Sequence, residues 1–535
     1  MSESTKKQSF LHGAALLAMA TAVVKVIGAF YKIPLKMIIG DQGYGYFVTA
    51  YDVYSVLLLI ATAGLPVAMS RMISQANALG HSNQVRRIYK TARGIFLALG
   101  IASSLFMVLG SQWLAGEVLM QPNAAPAIAC LGPCALFMGI ISTFRGFFQG
   151  HGNMRPTSSS QVLEAAVKLL VGLGLAFVIM RQYNSVSLAA GGAILGVTVS
   201  CLVSAVYLFA KFRPAYRELG VSDDTPRSFG ETAKSLLAIA VPITIGSAGL
   251  QFLTVVEQKL YMSQLLTANG LSQDAADTMK GIYSMTMTIY NMPCAFIVPI
   301  AISVIPAITS HLTLQNNRGV RETEESAARI AGLISLPCCV GLFLLARPVM
   351  ALLGGYTGEK LELAANLMRI LSLCIFLYAI IQYTNALMQA HGYAHIPVVN
   401  MLLAGVVKLG VVYILVGNPA LGILGAPIGS VLGYTAIATM NLLGIARVVP
   451  QKPALLRNLL RPLLPAAIMG VAVFGTYWGL SQLLGPDGSR VIACGAPIAV
   501  GVAVYCVAVV KCKSITAGDC QLLPKGDKIA KLLKL

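Results

Sequence analysis

A small set of ionisable side chains stands inside or beside stretches of sequence that are otherwise apolar: Lys25, Lys32, Lys36, Asp41, Asp52, Arg145, Glu164, Lys168, Glu257, Lys259 and Lys408. A charge at the centre of a membrane helix costs about 2.5–3.5 kcal/mol on insertion scales, so such residues are functional candidates by default. Buried amines can hold an anionic group, and buried carboxylates pair with amines or bind a coupling cation. Lys25 and Lys32 are seven apart and project from nearly one helix face, with Lys36 at the outer end. Asp41 and Asp52 fall at the start of the next helix and just inside it. There they can pair with these lysines, bind a cation, or favour the helix N-terminus, the last reading suiting Asp41 best. Arg145 closes a helix at its cytoplasmic end. Glu164 and Lys168 are four apart, in the order that favours an intrahelical ion pair. Lys408 is the counterpart of Lys168 but has Ala404 four positions earlier, so it must face a cavity, water or an acid on another helix. Glu257 and Lys259, two apart, cannot face each other. Pro66, Pro293, Pro299 and Pro306 free backbone groups and bend helices, which makes them hinge candidates. His151 and His391 read as residues of Gly-containing turns, with a proton or metal role as the weaker alternative. The eleven cysteines show no CxxC pair and no metal-ligand spacing, so no metal site is expected.

The elements that must carry these residues follow from composition. Hydrophobic residues make up 56% of the 535, and only 11% are charged, against roughly 25% in a soluble domain. Fourteen apolar stretches approach the ~20 residues that cross a bilayer core as a helix. They lie at about 10–34, 46–70, 91–112, 124–144, 160–180, 188–210, 235–262, 282–311, 327–346, 363–388, 396–417, 421–446, 459–482 and 490–511, to within ~4 residues. Lipid leaves no partner for unpaired backbone groups, so helices are the expected element, and the alternating pattern of a membrane barrel is missing. The formal charge of +19 gathers in clusters such as Arg86-Arg87-Lys90-Arg93, Lys211-Arg213-Arg217 and Lys452-Arg457-Arg461. With both termini cytoplasmic these clusters fall on the inner side, so the basic balance reads as orientation and contact with anionic lipid, not as nucleic-acid binding. The N-terminal apolar run continues through Lys25 and Lys32 without a small-residue cleavage site, as an uncleaved first helix does.

The chain also resembles itself at an offset of 240 residues. Gln149, His151, Gly152 and Val167-Lys168-Leu169 recur as Gln389, His391, Gly392 and Val407-Lys408-Leu409, and Pro66 and Ser70 recur as Pro306 and Ser310. Gly192-Ala193 with Gly196 recurs as Gly425-Ala426 with Gly429 at an offset of 233, small residues at a spacing that lets membrane helices approach closely. The expected organisation is an N-lobe of six helices over 1–210, a cytoplasmic linker at 211–234 and a C-lobe of six helices over 235–446. A final helix pair at 447–511 and a basic cytoplasmic tail at 512–535 complete it. The lobes should be related by a pseudo-two-fold axis along the membrane normal, with a cavity between them. In the tail, Leu522, Leu523, Ile529, Leu532 and Leu533 interleave with Lys525, Lys528, Lys531 and Lys534, the pattern of an amphipathic surface helix or a basic coil.

At this point the motifs become recognisable. Arg145-Gly146-Phe147-Phe148-Gln149-Gly150-His151-Gly152-Asn153-Met154, Pro156-Thr157, Ser160-Gln161 and Glu164 resemble the stage V sporulation protein B type of polysaccharide exporter. Lys25-Val26-Ile27-Gly28, Ile33-Pro34-Leu35, Ile39-Gly40-Asp41, Tyr51, Tyr54-Ser55, Ala63 to Ala68, Gln389 to Gly392 and Ile396-Pro397-Val398 agree. That branch belongs to the multidrug/oligosaccharidyl-lipid/polysaccharide (MOP) exporters, related to MurJ-type lipid II flippases. The resemblance implies two six-helix lobes, alternating access, and movement of an undecaprenyl-pyrophosphate-linked saccharide from inner to outer leaflet. Lys25 aligns with the first arginine of the lipid II flippases on this helix, and Tyr31 and Lys32 straddle the second. Their arginine on helix 8 has no counterpart in the segment Tyr283 to Met292, which counts against lipid II itself and leaves another undecaprenyl-linked glycan compatible.

The expectation is therefore an inner-membrane flippase for a cell-wall or spore-wall precursor, with Lys25, Lys32, Lys36, Asp52, Arg145, Lys168 and Lys408 binding substrate and Asp41, Glu164, Glu257 and Lys259 serving coupling or ion pairing. No enzyme motif and no cofactor are indicated; coupling to the membrane potential, H+ or Na+ is open. Expected partners are the lipid-linked substrate, membrane lipids and cell-wall synthesis enzymes. A cation-coupled drug antiporter of the same fold would need an acid-lined aromatic cavity, and a membrane scaffold would need large docking segments.

Overall fold

The computed structural model describes residues 3–62, 64–220, 222–450, 453–484, 490–516 and 519. Side chains are described from residue 20 onward except at 21, 22, 25, 26, 29, 60–62, 242, 243, 245–250, 299, 300, 302, 303, 306, 484 and 490. Among the described residues all regular structure is helical. Ten of the helices are long and apolar enough to cross a membrane. The chain divides into two compact units at Gly281/Ile282, with 267–269 joining the second unit. The division falls inside a helix and not at the linker 211–234.

Unit 1 contains α1 (Glu3–Thr62), α2 (Leu65–Ala78), α3 (Ser82–Leu109), the short α4 (Ser111–Trp113), α5 (Ala125–Gly150), α6 (Arg155–Tyr183), α7 (Val186–Arg217), α8 (Phe229–Thr267) up to Leu266, and the first turns of α9 (Gln273–Thr313). The stretch expected at 10–34 and most of that at 46–70 lie in two helices that run on from each other across a kink at Gly40 (φ 69°, ψ −172°) within Glu3–Thr62, and the last residues of the second stretch start α2. A left-handed backbone at one residue is what glycine permits at no steric cost, so the chain changes direction there without a loop. Pro66 bends no helix: it occupies the first turn of α2, where its missing N–H has no intrahelical partner to lose. Pro293 lies half-buried within α9, and the side chains of Pro299 and Pro306 lie outside the described residues.

The linker is shorter than its sequence limits, since α7 runs through Pro214 to Arg217 and α8 starts at Phe229. Its Ser228 and Glu231 form a reciprocal cap on α8, the Ser228 amide donating to Glu231 Oε2 (3.0 Å) and the Glu231 amide to Ser228 Oγ (3.2 Å). Upstream, His81 caps the start of α3 with no side-chain bond. Asp224 from the linker supplies the missing acceptor, taking the amides of Asn83 (3.0 Å) and Gln84 (2.8 Å). Desolvation is the largest single effect and opposes the charge, but the Ser222 hydroxyl and these two amides together outweigh it and hold the Asp224 carboxyl below the usual carboxylate range.

Unit 2 contains the rest of α9, α10 (Asn317–Leu344), α11 (Ala346–Leu352), α12 (Gly358–Ala390), α13 (His395–Gly417), α14 (Gly425–Val448), α15 (Leu455–Leu460), α16 (Leu463–Leu484) and α17 (Arg490–Lys511). Its core joins Val304, Ala328, Tyr383, Leu387, Ile437 and Leu459 from α9, α10, α12, α14 and α15. The last pair, α16 and α17, pack on each other, and α16 also packs on α10. The tail residues Leu522 to Lys534 lie outside the described residues.

The repeat is visible inside each unit separately. The α5–α6 turn ends with Gly152 at φ +72°, with His151 N bonded to Phe147 O and Asn153 N to Phe148 O. The α12–α13 turn ends with Gly392 at φ +85°, with His391 N bonded to Leu387 O and Tyr393 N to Met388 O. Both are left-handed glycine caps closing a helix by the same bonds. The small-residue motifs also do one job: Gly196 lets α7 lie against Gly172 of α6, and Gly429 lets α14 lie against Val412 of α13.

The tightest approach in unit 1 is that of Gly281 on α9 to the carbonyl oxygen of Asp41, where an added Cβ would overlap the oxygen. Gly281→Ala should therefore cost about 1–3 kcal/mol through overpacking, read as a lower melting temperature of the purified protein in detergent. Gly174→Ala, whose Cβ would meet open space, should show no loss, and equal melting of the two variants would exclude this packing.

Candidate functional site

Unit 1 buries a continuous chain of polar side chains. Asp277, fully enclosed near the start of α9, accepts from Tyr46 Oη (2.9 Å) and Gln121 Nε2 (2.8 Å). Thr49 of α1 donates to Gln121 Oε1 and accepts from Gln258 Nε2 of α8 (3.0 Å). Gln258 Oε1 accepts from Lys280 Nζ of α9 (3.0 Å), and that amine lies 3.6 Å from Asp52 Oδ2 of α1. Each group is satisfied by the next, as burial in a low-dielectric interior demands. The chain ties α1, α8, α9 and the segment before α5 together through side chains alone.

Around the Asp52 end the charges converge. Lys32 lies within electrostatic range of both Lys168 and Asp52, and Asp52 within range of Lys280, Lys32 and the buried Glu257. The Lys168 amine sits 5.6 Å from the ring centroid of Tyr31, whose hydroxyl donates to Ala193 O of α7 (3.1 Å) and whose ring fills the space over Gly172. Such a cation–π contact orients an amine without neutralising it. Neither Lys32 nor Lys168 forms an ion pair among the described residues. Both remain partly accessible, and Asp52 keeps 20% of its side-chain surface. Two amines without counter-ions beside a Lys–Asp pair can take an anionic oxygen group.

The other expected residues are distributed around this cluster or away from it. Lys36 and Asp41 flank the Gly40 break and pair with each other at 3.1 Å. The intrahelical pair expected of Glu164 and Lys168 is not formed; Glu164 pairs with Arg145 of α5 at 3.1 Å. Arg145 also donates through Nε to Ser160 Oγ (3.2 Å), so it lies in range of α6 and draws the acid away from the lysine. Glu257 is buried and Lys259 exposed, as their spacing of two requires. Lys408 belongs to unit 2, where its stem packs over Gly433 and its charge reaches Cys374. The side chain of Lys25 lies outside the described residues. Among the described residues no group of three His, Cys, Asp or Glu is placed to hold a metal.

Lys280 is the residue that sequence reasoning missed. The helix that lacks a cation between Tyr283 and Met292 begins at Gln273 and carries this lysine, 4% exposed, one turn earlier. Its signal was a lysine immediately ahead of an apolar run, which reads as an ordinary helix end until the partner on α1 is known.

Helices of membrane-crossing length that turn amines and carboxylates inward define a multi-pass membrane transporter. The fold agrees with solved structures of that class. One, described as the lipid II flippase MurJ in an inward closed conformation, gives a TM-score of 0.67 over 93% of this chain and 98% of that one at 13% identity. Another, an inward-facing multidrug resistance MATE family transporter of the MOP superfamily, gives 0.63 over 81% and 99% at 18% identity. The family model for polysaccharide biosynthesis proteins matches residues 10–311, more than half of the chain, and the chain belongs to that family. A MatE model matches residues 261–414. Curated relatives from Bacillus subtilis (strain 168) include stage V sporulation protein B, 25% identical over 83% of this chain and 85% of the relative. They also include lipid II flippase MurJ, 24% identical over 92% and 94%.

The pairing of Lys280 with Asp52 makes a definite prediction. Removing one partner of a buried pair strands the other, so Lys280→Met should destabilise the purified protein by on the order of 3 kcal/mol. Lys280→Met combined with Asp52→Asn should lose less than the sum of the two single changes in thermal unfolding. Additive losses would show that the two groups do not interact.

Proposed function

We propose that this protein is a flippase that moves an undecaprenyl-pyrophosphate-linked saccharide, a cell-wall or spore-wall precursor, from the inner to the outer leaflet by alternating access. In this reading fourteen helices cross the membrane as two six-helix lobes and a C-terminal pair, with both termini in the cytoplasm of a bacterial inner membrane. The observation that carries it is the placement of Lys32 and Lys168, two amines without carboxylate ion-pair partners among the described residues, next to the Lys280–Asp52 pair. A pyrophosphate is the part of such a lipid that most needs cationic partners, and lysine provides point charges for it. The prenyl chain can stay in lipid while the head group crosses. The names of the relatives, a lipid II flippase and a sporulation protein, support the substrate class. Asp52, between Lys32 and Lys280, is the group on which coupling to the membrane potential, H+ or Na+ would act.

Complementation of a bacterium depleted of its lipid II flippase tests the proposal. Wild type should restore growth, and Lys32→Ala and Lys168→Ala should each lower rescue. A charge-assisted hydrogen bond contributes about 1.5–3 kcal/mol, so the loss in apparent affinity should be about tenfold or more. Lys259→Ala, at an exposed position, should behave as wild type. Equal rescue by all variants would exclude the cationic mechanism, and failure of wild type would direct the search to another undecaprenyl-linked glycan.

A further inference from the structure

The first halves of α3 and α10 are copies of each other at an offset of 235: Val85-Arg86, Ala92 and Ile95 recur as Val320-Arg321, Ala327 and Ile330. In unit 2 the protein covers one face of α10 itself. Val340 packs on Gly470 of α16. Leu333 borders an apolar cavity with Tyr505 and Val509 of α17, and the Tyr505 hydroxyl donates to the Leu333 carbonyl (2.7 Å). The charged end of that face is closed too. Arg329 is gripped by Asp519 from beyond α17 (2.8 Å), and Glu325 takes Arg321 (3.0 Å) and the amide of Ala454 (3.2 Å).

The same face of α3 in unit 1 has no such cover among the described residues. Ala98 and Leu105, the counterparts of Leu333 and Val340, are exposed, and so is Ile101 between them. Where α10 has Glu325 and Ala328, α3 has Lys90 and Arg93, both exposed. A second stripe lies on α7, where the exposed Leu202, Val206 and Phe209 continue at spacings of three and four into the exposed Arg213 and Arg217. The two cationic ends are joined through rings. Tyr89 of α3 stacks on Phe212 of α7 (4.6 Å between centroids), with Tyr216 at 5.3 Å. Arg86 lies over Tyr216 (5.5 Å) and Arg93 over Tyr89 (5.8 Å), contacts that place a guanidinium without neutralising it.

None of Arg86, Lys90, Arg93, Arg213 and Arg217 forms an ion pair among the described residues. Of the acids on the adjoining linker, Asp224 is engaged by the α3 amides, while Glu218 and Asp223 point into solvent as exposed residues. Membrane orientation requires only positive charge at this end. It requires neither the rings that fix two guanidinium groups nor the alignment of the charges with two exposed apolar stripes. A ligand that matches both features has long apolar chains and an anionic phosphate head, for which arginine supplies paired donors.

We propose that the adjoining ends of α3 and α7 bind an anionic phospholipid. Its phosphate rests on Lys90, Arg93, Arg213 and Arg217, and its acyl chains lie along the exposed stripes, where α10 has α16 and α17 instead. On the proposed topology this is a site in the inner leaflet. It is independent of the substrate reading.

The purified full-length protein in a neutral detergent, titrated with phosphatidylglycerol or with phosphatidylcholine of the same acyl chains, tests the site by native mass spectrometry. No charged membrane surface surrounds the protein there, so the lipid retained is lipid held at a defined place. Wild type should retain phosphatidylglycerol in preference to phosphatidylcholine. Lys90→Gln combined with Arg93→Gln should weaken phosphatidylglycerol binding about thirtyfold, from about fivefold for each cation removed. Arg457→Gln combined with Arg461→Gln, which removes the same charge from exposed positions in unit 2, should bind as wild type does. Equal losses in the two double variants would reduce the effect to net charge and overturn the site, as would equal retention of the two lipids by wild type. Dimers that persist without added lipid and are lost in Val206→Arg would give this face to a second copy of the chain and overturn the assignment to lipid.

Discussion

The pair formed by Asp52 and Lys280 is the interaction on which the interior of unit 1 depends. Neither residue could be held in a membrane interior alone, because the cost of an isolated charge there exceeds what packing returns. Paired, they fix α1 against α9, and Gln258, Thr49, Gln121 and Asp277 extend the arrangement through α8 to the connector before α5. The same approach explains the glycine at 281, since α9 can present Lys280 to Asp52 only if its backbone lies directly on the Asp41 carbonyl. Helix packing and charge satisfaction are here one requirement.

The duplication supplies the frame, and the departures from it supply the chemistry. Both copies end a helix with the same glycine cap, and both use a small-residue stripe to seat the following pair. The start of α3 and the middle of α10 are tied down by aspartates from outside the duplicated helices. Asp224 of the linker caps α3, and Asp519 beyond α17 grips Arg329 of α10. In each case a connecting segment outside the duplicated helices supplies a carboxylate to a helix inside them. The linker and the segment beyond α17 thereby become structural parts of the helices they reach.

The helices, the repeated turns and the glycine contacts were legible in the sequence because they depend on local composition and short spacings. The partners of the charged residues were not. Glu164 reads as the mate of Lys168 four positions on, but Arg145, nineteen residues away on the preceding helix, takes it. Lys280 looks like the polar end of an apolar segment, and its partner lies in the first helix. The gap between the first two apolar stretches, from about 34 to 46, is spanned by helix, and a single non-helical glycine at 40 makes the bend. Long-range pairing leaves no periodic trace in one chain.

The availability of Lys32 and Lys168 follows from the same arrangement. Of the acids near them, Asp52 is drawn to Lys280 and Glu164 to Arg145, so among the described residues neither amine has a carboxylate at contact distance. Both side chains are partly accessible, so water can serve as the ligand while no anion is present. On the proposed function, an incoming phosphate would exchange that water for direct charge-assisted bonds, and water would return on its departure. Repeated loading and release would, on that function, require a cluster stable both empty and occupied, and committing the acids to other cations rather than omitting them is one way to build it.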